Sequence, residues 1–218
     1  MRYLAALDHD HLDNGVFLTS LARSLAEQQQ NQDIRSIIVH TDSEYTERII
    51  QTGVMRDQAT IRSLKDLNKR LVALLADQGV SAIGINPYKR NFIRLQDEQL
   101  QLDHSFLEQL PDRPVLLLST LVQDVEHDQQ VAIELPRMLA FLREQLNPEE
   151  LFIFSKAEES EIFTNTGNPD TLEWKTMDKS FRKKQIPDEL AGFNYPLRLT
   201  TARDFNQIPK LKNSILIK

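Results

Sequence analysis

The stretch Asn68 to Ile85 constrains this chain most, because an amphipathic helix there stops at a glycine and runs straight into a short apolar segment. Ile61, Leu64, Leu67, Leu71, Leu74 and Leu75 recur at helical spacing, and Gly79 supplies the left-handed residue that closes such a helix. Ala82 to Ile85 then reads as a covered strand. The same logic opens the chain: Tyr3 to Leu7 reads as a strand and Asp8 to Gly15 as a polar turn. Leu18, Leu21, Ala22 and Leu25 mark the buried face of a following helix capped by Asp13 or Asn14, and Arg35 to His40 reads as a second buried strand. Thr41 to Glu44 offers turn and cap residues for a further helix. Strands alternating with helices in this way predict βαβ units and a mostly parallel sheet covered on both faces.

Further along, Phe92 to Leu95 and Gln99 to Leu102 alternate around the polar Gln96-Asp97-Glu98 and predict a hairpin. Val115 to Ser119 and Leu151 to Phe154 read as core strands. The spacing of Val131, Ala132, Leu135, Met138, Leu139 and Leu142 predicts a helix over 129–146 that Pro136 kinks or splits. The last third predicts strands at Glu161 to Phe163, Thr171 to Trp174, Tyr195 to Thr200 and Ser214 to Ile217, with a turn-rich link at Thr164 to Asp170. No repeat or linker interrupts 218 residues, so a single domain spanning 1–218 is expected.

Composition narrows the function classes. A formal charge of −6 argues against nucleic-acid binding; the basic run Lys175, Lys179, Arg182, Lys183 and Lys184 reads as a solvated face or loop. There is no cysteine, hence no disulfide or thiolate chemistry. No apolar run reaches a membrane span and the acidic start does not resemble a secretory signal, so a cytoplasmic protein that does not engage membranes is expected. The six glycines are scattered at 15, 53, 79, 84, 167 and 192, whereas a backbone wrapped around a polyphosphate needs several close together.

Several polar residues merit a chemical reading beside a structural one. Asp8-His9-Asp10-His11 holds ligand types for a divalent metal; extended, it places Asp8 and Asp10 on one side, yet it equally suits a hydrated loop that caps a helix. His40 ends a strand, where open α/β sheets meet their ligands, or is a buried histidine bonded to loop backbone. Asn68 lies on the Leu64, Leu71 and Leu75 side of its helix and must find buried partners. Asp124, Glu126, His127 and Asp128 form a polar cluster in which Asp128 also reads as a helix cap.

The order Asn-Lys, Val-Ala-Leu-Leu, Gly, Ala-Ile-Gly-Ile over 68–85 resembles the amino acid kinase family, and within it the acetylglutamate kinases. The resemblance implies a three-layer αβα sandwich of the carbamate kinase type and a homodimer, paired through helices near Asn68-Lys69 or through sheet edges. It implies substrate contacts at the strand tips: Asp8, Asn14 and Gly15 after the first strand, His40, Thr41 and Asp42 after the second, Gly84 and Asn86 at the third. Asp128 and Lys156 stand nearest to the family's catalytic positions. The departures fall where chemistry is done. Where the family has a lysine followed by Gly-Gly, this chain has Ala5 to His9; where it has His-Gly-Gly-Gly, this chain has His40-Thr41-Asp42-Ser43; where it has Leu-Thr-Asp, this chain has Phe154-Ser155-Lys156. A carboxylate about 4 Å from a phosphate oxygen costs on the order of 4 kcal/mol at an effective dielectric of 20, unless a metal ion lies between them. The expectation is a binding or regulatory protein without ordinary ATP-dependent transfer, needing no cofactor or metal. The alternatives are a divergent phosphotransferase that uses Mg and ATP on a small carboxylate or phosphate, and a metal-dependent enzyme built on Asp8, His9 and Asp10.

Overall fold

The computed structural model describes residues 2–31, 35–157, 170–211 and 213–218; the readings at Glu161 to Phe163 and over most of Thr164 to Asp170 lie outside them. From the N-terminus run β1 (Arg2–Leu7), α1 (His9–Leu12), α2 (Gly15–Asn31), β2 (Arg35–His40), α3 (Tyr45–Gln51), α4 (Arg56–Asp77) and β3 (Ala82–Ile85). The middle of the chain holds β4 (Ile93–Gln96), β5 (Gln99–Leu102), α5 (His104–Gln109), β6 (Val115–Ser119), β7 (Leu121–Asp124), β8 (Gln129–Ala132), α6 (Leu135–Leu146) and β9 (Glu150–Phe154). The described remainder adds β10 (Thr171–Leu172), α7 (Lys179–Gln185), β11 (Leu197–Thr200) and β12 (Ser214–Ile217).

Eight strands form one sheet in the order β10-β12-β11-β9-β1-β2-β6-β3. From β3 across to β11 every pairing is parallel, and among the described residues of this sheet only the β11–β12 pairing is antiparallel. The alternation along β1 shows why both faces need helices. Tyr3, Ala5 and Leu7 join the cluster under α2 and α4, with Leu21, Leu25, Leu71 and Leu75. Leu4 and Ala6 face the opposite cluster, with Met138, Leu139 and Leu142 of α6. The result is a three-layer αβα sandwich, as the family resemblance implies, around the mostly parallel sheet that the sequence pattern predicts. A second, four-stranded sheet runs β5-β4-β7-β8.

Most element readings hold, and α4 closes ahead of Gly79 at φ 80°. The β4–β5 hairpin turns on Asp97 and Glu98, both at positive φ. Two readings need correction. Residues 129–132 are a strand paired with β7, not the start of a helix; α6 begins at Leu135, and Pro136 sits in its first turn, where the missing N–H costs nothing, so it neither kinks nor splits the helix. The Asp8 to Asp13 run is not an extended loop, because Asp8 caps the single helical turn α1. No described helix is long and apolar enough to cross a membrane.

Candidate functional site

Parallel strands deliver their polar end residues to one edge, and here those residues mostly bond one another. In this sheet β1 is flanked by β2 on one side and β9 on the other, so the order reverses beside it, at the place where open α/β sheets bind ligands. That crevice is filled. The Asp8 carboxylate, 2% exposed, accepts the N–H of Asp10 at 3.0 Å and bonds His11 Nδ1, while His11 Nε2 lies 3.0 Å from the Ser155 carbonyl at the tip of β9. Phe17 packs against the His11 ring with centroids 4.2 Å apart.

At the tip of β2, His40 is fully buried. Its Nδ1 lies 2.9 Å from the Thr41 carbonyl, and Asn68 Nδ2 lies 3.0 Å from Nε2 and 3.1 Å from the Leu117 carbonyl. Burial lowers the His40 pKa to about 4, so the ring is neutral; Nδ1–H donates to Thr41 and Nε2 accepts from Asn68. This is the buried, bonded role read from sequence for Asn68 and one of the two open to His40, whose other reading is a substrate contact.

The other predicted residues sort by position. Asn14 caps α2, its Oδ1 accepting from Val16 and Phe17 at 3.1 and 3.0 Å, and Gly15 has open space where a side chain would stand. A Cβ on Gly84 would fall well inside van der Waals contact of Asn68 Oδ1 and 2.9 Å from Val72 Cγ2; close approach of α4 therefore explains this glycine. Asn86 Oδ1 accepts from Ser119 at 2.9 Å.

Asp128 is not at a helix start; it takes φ 48° in the β7–β8 turn and accepts from Gln123 at 3.1 Å. In that turn Asp124 accepts from the N–H groups of Glu126 and His127 and lies 2.8 Å from His127 Nδ1. The His127 bond holds Asp124 below the usual carboxylate range, and Asp124 in turn pushes His127 up. Among the described residues, Asp124, Glu126 and His127 are the only set of three or more such side chains with ligand atoms within 4.8 Å, so Asp8, His9 and Asp10 form no such set. Lys156 pairs with Asp188 at 3.0 Å. The structure does not bring it to Asp128, which lies beyond the far end of β8 from the cleft described next.

A cleft of about 460 Å³ opens over the tips of β2 and β6. Its polar lining is Thr41, Asp42, Thr60, Thr120, Glu134 and Glu189, and its apolar lining includes Leu64, Ile133, Leu135 and Pro136. Thr41 and Asp42 were legible as strand-tip residues; the rest arrive from α4, from the β6–β7 junction, from the end of β8 and the β8–α6 link with the start of α6, and from the short turn Asp188–Leu190. Among the described residues, no lysine, arginine or histidine lines it. Asp42 accepts from Thr46 at 2.9 Å. Burial, with the nearby Asp8 and Asp42 carboxylates, pushes Glu189 up to about 7, against the charge of His9 and a hydrogen bond from the His9 backbone; its Oε2 is buried without a partner among the described residues. Positive charge is gathered elsewhere, in a groove between α3 and α4 lined by Arg48, Arg62, Lys65 and Lys69.

No protein-family model and no curated protein matches the chain. Solved structures do. An isopentenyl phosphate kinase superposes with a TM-score of 0.62 at 14% identity, covering 100% of both chains. N-acetylglutamate synthase from Neisseria gonorrhoeae, complexed with coenzyme A and L-arginine, gives 0.64 at 13% identity over 99% of this chain and 61% of that one. Aspartate kinase from Synechocystis gives 0.68 at 10% identity over 99% of this chain and 40% of that one. With the large, mostly parallel sheet, these likenesses establish that the chain has the amino acid kinase fold.

Proposed function

We propose that this protein acts as a binding or regulatory component and does not perform ordinary ATP-dependent phosphoryl transfer. One observation carries the reading: the bonded Asp8 and His11 side chains, anchored on the Ser155 backbone carbonyl, fill the crevice beside β1. Phosphoryl transfer needs backbone donors and positive charge around the migrating group. The adjoining cleft instead presents Asp42, Glu134 and Glu189, with no cation in its lining among the described residues. In a bare site each carboxylate opposes a triphosphate by several kcal/mol. The same reading takes the chain as one domain and, from the family resemblance, as a cytoplasmic homodimer.

Calorimetric titration with ATP and ADP, with and without magnesium, tests it. No saturable heat at millimolar nucleotide is expected. Saturable Mg-ATP binding, with turnover lost in Asp128→Ala or Lys156→Ala, overturns it in favour of a divergent phosphotransferase.

A further inference from the structure

The cleft over β2 and β6 combines three properties that point to one ligand chemistry. It has apolar walls, from Leu64, Ile133, Leu135 and Pro136. Its charge is of one sign, from Asp42, Glu134 and Glu189. It also holds a buried oxygen without a partner: Glu189 Oε2 makes no hydrogen bond among the described residues. Thr120, 1% exposed, brings a hydroxyl-bearing side chain to the lining. Buried polar groups are ordinarily satisfied, so a carboxylate oxygen left unbonded beside a cavity marks a place short of donors.

We propose that this cleft binds a small organic cation, a primary ammonium or guanidinium on a short apolar body, with Glu189 and Asp42 as counter-charges and the Thr120 hydroxyl as a polar anchor. The inference rests on reading the cleft as a binding site that does not take polyphosphate. The apolar walls favour a carbon body over a bare metal ion, and among the described residues no lysine, arginine or histidine in the lining stands ready to neutralise a carboxylate or phosphate ligand. A cation beside Glu189 adds to the favourable charge of His9 and offsets the repulsion from Asp8 and Asp42.

The test is an amide NMR titration of the full chain at pH 7.5 with n-butylammonium, n-butylguanidinium, n-butanol and butyrate. The two cations are expected to give saturable shifts centred on Thr41, Thr120 and Ile133, and butanol and butyrate are not. Glu189→Gln should weaken the cations by about tenfold, the loss of one charge-assisted contact. If that variant does not fold, Glu134→Gln at the exposed rim takes its place, with about threefold weakening expected. Shifts from butyrate equal to those from the cations, no response to the cations, or unchanged affinity in the variants overturns the proposal. Mg-ATP titrated into the same sample separates the two readings. Nucleotide binding beside a retained cation response refutes the proposed function alone, and absence of both responses refutes this inference alone.

Discussion

Gly84→Ala gives opposite outcomes for a glycine kept for helix packing and one kept for ligand approach. Gly84 lies in β3 beneath α4, and a methyl group there meets Asn68 Oδ1 and Val72 Cγ2. Without an obstacle, alanine for glycine in a strand gains about 0.4–1 kcal/mol. Here the methyl overpacks a tight contact, at about 1–3 kcal/mol. If Asn68 swings aside, its bonds to His40 Nε2 and the Leu117 carbonyl go with it, at about 1 kcal/mol each. The net expectation is a loss of about 2–4 kcal/mol in urea unfolding at pH 7.5, the sum of those ranges less the strand gain. Adding Asn68→Ala removes the obstructing oxygen, so the double variant should be less destabilised than the two single losses added together, with a coupling of about 1–2 kcal/mol. A neutral or stabilising Gly84→Ala refutes the packing explanation.

Three further outcomes follow from the same geometry. His40 has a folded pKa of about 4 against 6.5 unfolded, so the unfolded chain binds more protons between those values; stability is full above pH 6.5 and falls by about 3 kcal/mol toward pH 4, a slope that His40→Gln removes in urea titrations at stepped pH. Glu189 is raised instead, to about 7 from 4.5, so its neutral form stabilises the fold below pH 4.5 and that contribution is lost as pH rises through 7; carboxyl carbon NMR should show this titration and its downward shift in Asp42→Asn. Asp178→Ala should cost about 1 kcal/mol in thermal or urea unfolding, because its carboxylate caps α7 by accepting from Ser180 and Phe181 at 2.8 and 3.1 Å.

What was legible in the sequence follows from what repeats. The strand Val115 to Ser119 and the helix ending at Gly79 carry periodicity and a stop signal, and both stand where they were read. Gln129 to Ala132 misled because Val131 and Ala132 happen to fit the helical spacing of α6, while the cross-strand partners in β7 that make them a strand are tertiary. The cleft was half legible for a similar reason. Thr41 and Asp42 sit at a strand tip, which topology predicts, but Thr60, Glu134 and Glu189 reach it from three other segments with no mutual spacing in sequence. Asp8 and His11 showed their residue types and not their role, since the partner that makes them a plug, Ser155, is 144 residues away from His11.

The central claim is that the chain's own side chains occupy the strand-tip crevice where a nucleotide phosphate must sit. A crystal soaked in Mg-ADP measures this most directly. The account predicts no nucleotide density over the tips of β1 and β2 and an intact Asp8–His11–Ser155 bridge. Phosphates seated there, with that bridge displaced, contradict it.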